Sequence, residues 1–207
     1  MSKPTLVLAS ASRYRKALLQ QYHLQAEQIA PRVDEAFLPL EVPRARAARL
    51  GNAKAASVLQ QVTVVKRWLI IASDQVCHMN NNIFRKPGSA AIAAQHLAEF
   101  SGRWVTFSTS LVLLNHDGQH FEMVEDYRLQ FRELSDVDIE EYLESDQPYD
   151  CAGAIRVESY GLSLIKNADG RDINSVYGLP VMALFEGLRE LKYPIFNIRK
   201  YMYIIVL

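Results

Sequence analysis

Apolar residues follow two rhythms along the chain. Residues 5–10 (TLVLAS) and 68–73 (WLIIAS) are short unbroken apolar runs, the pattern of strands buried on both faces. Elsewhere the apolar positions fall on helical stripes. In 13–22 (RYRKALLQQY), Ala17, Leu18, Leu19 and Tyr22 share one stripe, and Ser12 supplies an N-cap. Residues 43–60 are alanine-rich and helical with Pro43 near the start. The pattern predicts further helices over 89–100, stopped by Ser101-Gly102, over 135–145, capped by Ser135, and over 179–191, with Pro180 in the first turn.

Residues 103–115 and 119–132 read as β-rich, and the turn at Asp117-Gly118 makes them a long hairpin. Residues 161–170 (GLSLIKNADG) read as a strand and turn, Asn80–Asn82 as a turn, and the segment carrying Pro31, Val33, Asp34 and Glu35 as a loop. Strands alternating with helices, plus one antiparallel hairpin, predict an α/β fold. Its mixed central β-sheet is flanked by helices, in two lobes with a substrate cleft between the main layer and the hairpin lobe.

Composition narrows the functional classes. With 207 residues, 49% of them hydrophobic, the chain suits one domain, expected over 1–192. Residues 193–207 form an atypical hydrophobic tail ending in YMYIIVL, too short to span a bilayer. Lys plus Arg equals Asp plus Glu at 23 each, so no global field draws the protein to nucleic acid or to an acidic membrane. Cys77 and Cys151 have neither disulfide-framework nor metal-ligand spacing, which points to a reducing, cytoplasmic setting.

Three local features carry candidate chemistry. First, LASASRYRK at 8–16 takes a strand through Ser10 and Ser12 straight into a helix with Arg15 in its first turn, an arrangement suited to phosphate. On spacing alone, an ordinary N-cap beside a solvated basic turn is the commoner outcome. Second, Asp74 ends an apolar strand, where a carboxylate is costly without a cation, metal or donors. With Glu35 it has the composition of a site for a divalent metal, and a strand-end Asp bonded to loop backbone is the alternative. Third, Arg15, Lys54, Arg85 and Lys86 are cations of the kind phosphoryl chemistry requires, although any single lysine more often serves solubility.

Eight blocks in order resemble the Maf family of nucleoside triphosphate pyrophosphatases. They are LASASRYRKALL (8–19), PRVDE (31–35), LGNAKA (50–55), IIASDQVC (70–77), RKP (85–87), SGRWVTFSTSL (101–111), YDCAGAIRVESYGLSLI (149–165) and GRDINSVYGLPVMAL (170–184). The resemblance implies a Maf/ITPase-like fold and hydrolysis between the α and β phosphates, releasing a monophosphate and diphosphate. SDQVC and CAGAIRVESYG are more similar to the branch acting on 7-methyl-GTP than to the dTTP/UTP branch. Tyr14 stands where that branch carries Trp, and Arg13 where the family carries Pro.

The resemblance further implies Asp74 as proton acceptor and Glu35 with Asp74 as ligands of Mg²⁺ or Mn²⁺. Arg15, Lys54 and Lys86 would neutralise the triphosphate, the Ser10–Ser12 turn would hold a phosphate on backbone amides, and Tyr14, Gln75 and Glu158 would read the base. It implies a small-molecule nucleotide substrate, a homodimer, and no nucleic-acid or membrane partner. A dTTP/UTP pyrophosphatase and a non-enzymatic nucleotide-binding regulator are the alternatives.

Overall fold

The computed structural model describes residues 3–62 and 67–196. Its elements are β1 (Thr5–Ala9), α1 (Arg13–Gln21), β2 (Ala26–Ile29), α2 (Pro43–Val62), β3 (Trp68–Ala72), β4 (Gln75–Met79), β5 (Asn82–Phe84), α3 (Ala90–Phe100), β6 (Trp104–Asn115), β7 (His120–Phe131), α4 (Asp136–Asp146), β8 (Ile165–Asp169) and α5 (Val181–Glu190), with short 3₁₀ turns at 152–154, 160–164 and 173–175. Each periodic segment became the element its pattern predicts. Ser12 accepts from the Arg15 amide as N-cap of α1, and Ser135 with Asp138 forms a capping box on α4.

One mixed sheet organises the molecule. β1 lies parallel between β2 and β3. The long β6 pairs antiparallel with β3 through residues 112–115 and with β4 through 106–109, while β7 runs along its other side and carries β8. β3 and β4 are thus successive partners of the same strand, and the chain between them, Ser73-Asp74, lies where that pairing lapses. Strand alternation sorts the core. Leu6, Leu8, Leu69, Ile71, Leu111 and Leu113 pack beneath α1 and α5, whereas Val7, Ala9, Ile70, Ala72 and Val112 pack beneath α2. A separate cluster around Phe84, Phe100, Phe107 and Phe131 fills the second lobe with α3 and α4.

Three strands escaped the pattern. β2 has only four half-exposed residues, and β4 and β5 form a short hairpin around the predicted Asn80–Asn82 turn. None is long enough to show a period. Both cysteines are free thiols, as expected. Of the predicted 193–207 tail, residues 197–207 lie outside the described residues. No helix among the described residues is long and apolar enough to cross a membrane.

Candidate active site

A cavity of about 490 Å³ lies between the two lobes. Its walls come from the start of α1, the loop after β2, one face of α2, the β3–β4 junction, the segment after β5 and the turns at 150–158 and 176–178. Helical spacing delivers Arg46, Leu50 and Lys54 to this cavity together, at i, i+4 and i+8 of α2. Gly51 lets the helix approach β6: a Cβ there would lie 2.4 Å from Ser110 Oγ. That hydroxyl accepts from the Asp74 amide at 2.9 Å, and the Ser110 amide donates to the Asp74 carbonyl at 2.8 Å. Gly51 and Ser110 therefore set the distance between Lys54 and Asp74.

Lys54 Nζ is 2.5 Å from Asp74 Oδ1 and 2.9 Å from Glu35 Oε1. Lys54 and Asp74 are buried at 8% and 7% exposure. The paired ammonium is what makes an acid at the end of an apolar strand tolerable. Two of the three Lys54 donors are engaged, leaving one for a phosphate oxygen. Burial pushes the Glu35 carboxyl up, but its bond to Lys54 and the charges of Lys54, Arg46 and Lys86 outweigh this and hold it below the usual carboxylate range. Glu35 is therefore anionic at neutral pH. Its loop is fastened by buried Arg46, which donates to the carbonyls of Glu35 (2.5 Å) and Ala36 (3.1 Å) and pairs with Glu41 at 3.5 Å.

Arg15 is anchored within the wall. Its Nε donates to Gly178 O at 2.6 Å and its Nη1 to Ser10 Oγ at 3.2 Å. Burial lowers its pKa, an effect opposed by Asp74 and Glu35. Gly178 O also accepts from Ser73 Oγ at 2.8 Å, tying α1, the β3 end and the 173–178 turn to one carbonyl; the φ of +98° at that residue requires glycine.

Of the eleven residues singled out in the sequence, ten line this one cavity: Ser12, Tyr14, Arg15, Glu35, Lys54, Asp74, Gln75, Arg85, Lys86 and Glu158. Ser10 does not; it is 3% exposed, and its hydroxyl supports Arg15 and accepts from the Ser12 amide at 3.1 Å. The phosphate cradle expected on the Ser10–Ser12 turn narrows accordingly. The Ser12 amide is bonded to Ser10 Oγ and the Ser10 amide to Leu8 O, which leaves the Ala11 amide of that turn for an anion.

Two base-reading expectations are also narrowed. Gln75 Nε2 donates to Ser175 O, Val176 O and Thr109 Oγ1 at 2.6, 2.9 and 3.2 Å, so only its carbonyl oxygen remains for a ligand. The Tyr14 ring already carries the Arg13 guanidinium at 4.9 Å, and its hydroxyl bonds Arg13 (2.8 Å) and Asp150 (3.1 Å). Burial and the Cys151 thiol, against Arg13, push the Tyr14 hydroxyl up to about 12, so it remains a neutral donor. Glu158 is raised by burial, which the nearby acids Asp146 and Asp150 reinforce against its own backbone bond and Arg156.

Sequence reasoning missed Arg46, Phe37 and Asp150 at this cavity. The i, i+4, i+8 spacing from Lys54 was the available signal for Arg46; for Phe37 and Asp150, in irregular backbone, there was none. Among the described residues no group of three or more His, Cys, Asp or Glu side chains is placed to hold a metal ion.

A mixed α/β sheet with an inter-lobe cavity, where two carboxylates meet on one ammonium and further cations stand close, is the architecture of an enzyme that handles a polyanion. Comparison with known sequences gives the family. Residues 5–191 match the model of the Maf-like proteins, and the chain belongs to that family. A 7-methyl-GTP pyrophosphatase of Nitrosococcus oceani is 42% identical, over 93% of this chain and 96% of that one. Another, from Idiomarina loihiensis, is 39% identical over 89% and 93% of the two chains. A solved nucleoside-triphosphatase / dITP/XTP pyrophosphatase from Mycobacterium abscessus is 16% identical, with a TM-score of 0.39 over 63% of this chain and 75% of that one.

Proposed function

We propose that the protein hydrolyses 7-methyl-GTP to 7-methyl-GMP and diphosphate, a house-cleaning reaction that removes a modified nucleotide. The observation that carries the chemistry is the meeting of Asp74 and Glu35 on Lys54 inside the cavity. The choice of substrate is supported by the names of the relatives.

In the proposed reaction a water attacks the α phosphorus, the bond from that phosphorus to the α–β bridging oxygen breaks, and diphosphate leaves. Asp74 accepts the water's proton. Lys54, Lys86 and the remaining donors of Arg15 neutralise charge developing on the leaving group. A divalent cation fits this donor set, since Mg²⁺ or Mn²⁺ commonly takes one or two carboxylates together with substrate oxygens. Glu35 and Asp74 would hold it, and it would supply charge neutralisation on the phosphates.

At the other end of the cavity, a 7-methylguanine ring brings a delocalised positive charge. The Glu158 carboxylate attracts that charge and accepts ring N–H donors, and Gln75 Oε1 accepts a further one. An aromatic face contributes about 0.5–2 kcal/mol to such a cation. Arg13 already stacks on Tyr14, so Glu158 carries more of the preference. The proposal includes a cytoplasmic homodimer, for which light scattering at a single-chain mass would be the contrary result.

Diphosphate release across a panel of 7-methyl-GTP, GTP, dTTP and UTP, with and without Mg²⁺, tests the reading. Highest kcat/KM for 7-methyl-GTP with metal is expected. Preference for dTTP or UTP would move the protein to the other branch, and no turnover of any nucleotide would leave a binding protein.

A further inference from the structure

We infer that Arg85, lying over the Phe37 ring, is an additional phosphate-gripping residue that holds the terminal phosphates of the substrate and the diphosphate product. The inference rests on the proposed triphosphate hydrolysis and assigns a residue to the leaving-group end of that site.

Among the described residues, the Arg85 guanidinium makes no hydrogen bond and no ion pair. Its side chain lies over the Phe37 ring, with the guanidinium carbon 5.6 Å from the ring centroid. Arg46 lies over the same ring at 3.9 Å. Two guanidiniums thus lie over one ring at the cavity, and they differ sharply. Arg46 is spent on Glu41 and on the carbonyls of Glu35 and Ala36. Arg85 is exposed and keeps all its donors.

The Phe37 ring also places the fork. Phe37 lies two residues beyond Glu35, whose carboxylate pairs with Lys54, and Arg46, which fastens the Glu35 loop, lies over the same ring, so the Arg85 guanidinium stands beside the loop that carries Glu35. Lys86, next in the chain, lines the same cavity and bears on the charge of Glu35. The Arg85 carbonyl accepts from the Gly153 amide at 3.3 Å, fixing the backbone from which the side chain reaches across to the opposite loop. A planar fork with unspent donors, pre-oriented on an aromatic face, is suited to bidentate phosphate oxygens and loses little rotamer freedom on binding. Lys86 alone would act as a point charge.

Binding of inorganic diphosphate with Mg²⁺, followed by calorimetry, is the probe, because it needs no assumption about the base. For Arg85→Ala we expect affinity about tenfold weaker or worse, the usual consequence of losing a charge-assisted bond, with KM for the triphosphate rising in parallel. Arg85→Lys should recover only part of the loss, and Phe37→Ala should weaken diphosphate binding less than Arg85→Ala. Arg85 is exposed, so the variant should keep the wild-type melting temperature. Wild-type diphosphate affinity in Arg85→Ala, or no diphosphate binding by the parent protein, would overturn the inference. Activity on a nucleotide other than 7-methyl-GTP would refute the proposed substrate alone, and the diphosphate arm would still decide on Arg85.

Discussion

Glu158 lines the same cavity as Lys54, Arg15 and Lys86, and its surroundings push it the opposite way from Glu35. Lys54 keeps Glu35 anionic, whereas burial and neighbouring acids raise Glu158. A raised carboxyl is neutral at low pH and gains its charge only as pH climbs through its elevated pKa. Only the anion attracts a cationic base, so the preference for 7-methyl-GTP over GTP should grow as pH rises through that value and then level off. Glu158→Gln should flatten the profile and lower selectivity toward unity, as competing-substrate assays between mildly acidic and neutral pH would show. A pH-dependent preference surviving in Glu158→Gln would exclude this role. Residues of this kind were legible through family-like blocks; their division of labour was not, because Gln75 and Tyr14 spend their polar groups on partners distant in sequence.

The placement of Lys54 and Asp74 depends on how α2 meets β6. The helix was legible from its alanine-rich stripe and Pro43, and β6 from its pairing with β7 across Asp117-Gly118. Their close contact at Gly51 was not legible, since one glycine within a helix announces no packing partner. Gly51→Ala gains about 1 kcal/mol of helix propensity and meets an overpacking cost of about 1–3 kcal/mol against Ser110. Relief by rotating the Ser110 hydroxyl would remove the acceptor of the Asp74 amide. The fold should therefore tolerate the change while kcat falls about tenfold or more through misplacement of Lys54 and Asp74. Steady-state kinetics beside a thermal melt separates the two effects, and unchanged kcat would show that this contact does not set the site.

At the scale of the molecule, apolar clusters on the two faces of the sheet hold one lobe and a third holds the other, and the cavity lies between lobes that β6 and β7 both run through. Periodicity foretold the sheet, the flanking helices and the hairpin. Residue chemistry suggested Asp74 with Glu35, but convergence of Glu35, Lys54, Asp74 and Lys86, which lie in four separate segments, followed as a set only from the family resemblance, because no spacing rule links an irregular loop to a helix face. The irregular backbone at 31–42 and 147–158 hid Phe37 and Asp150 for the same reason. The central claim is that Asp74, braced by Lys54, takes the proton from the attacking water. Asn at this position keeps an oxygen for Lys54 and nearly the same shape, so the fold should survive. The most direct measurement is the single-turnover rate of Asp74→Asn with 7-methyl-GTP and Mg²⁺. The account predicts a loss of about 10²–10⁴-fold at an unchanged melting temperature, and a rate within a few-fold of the parent protein would contradict it.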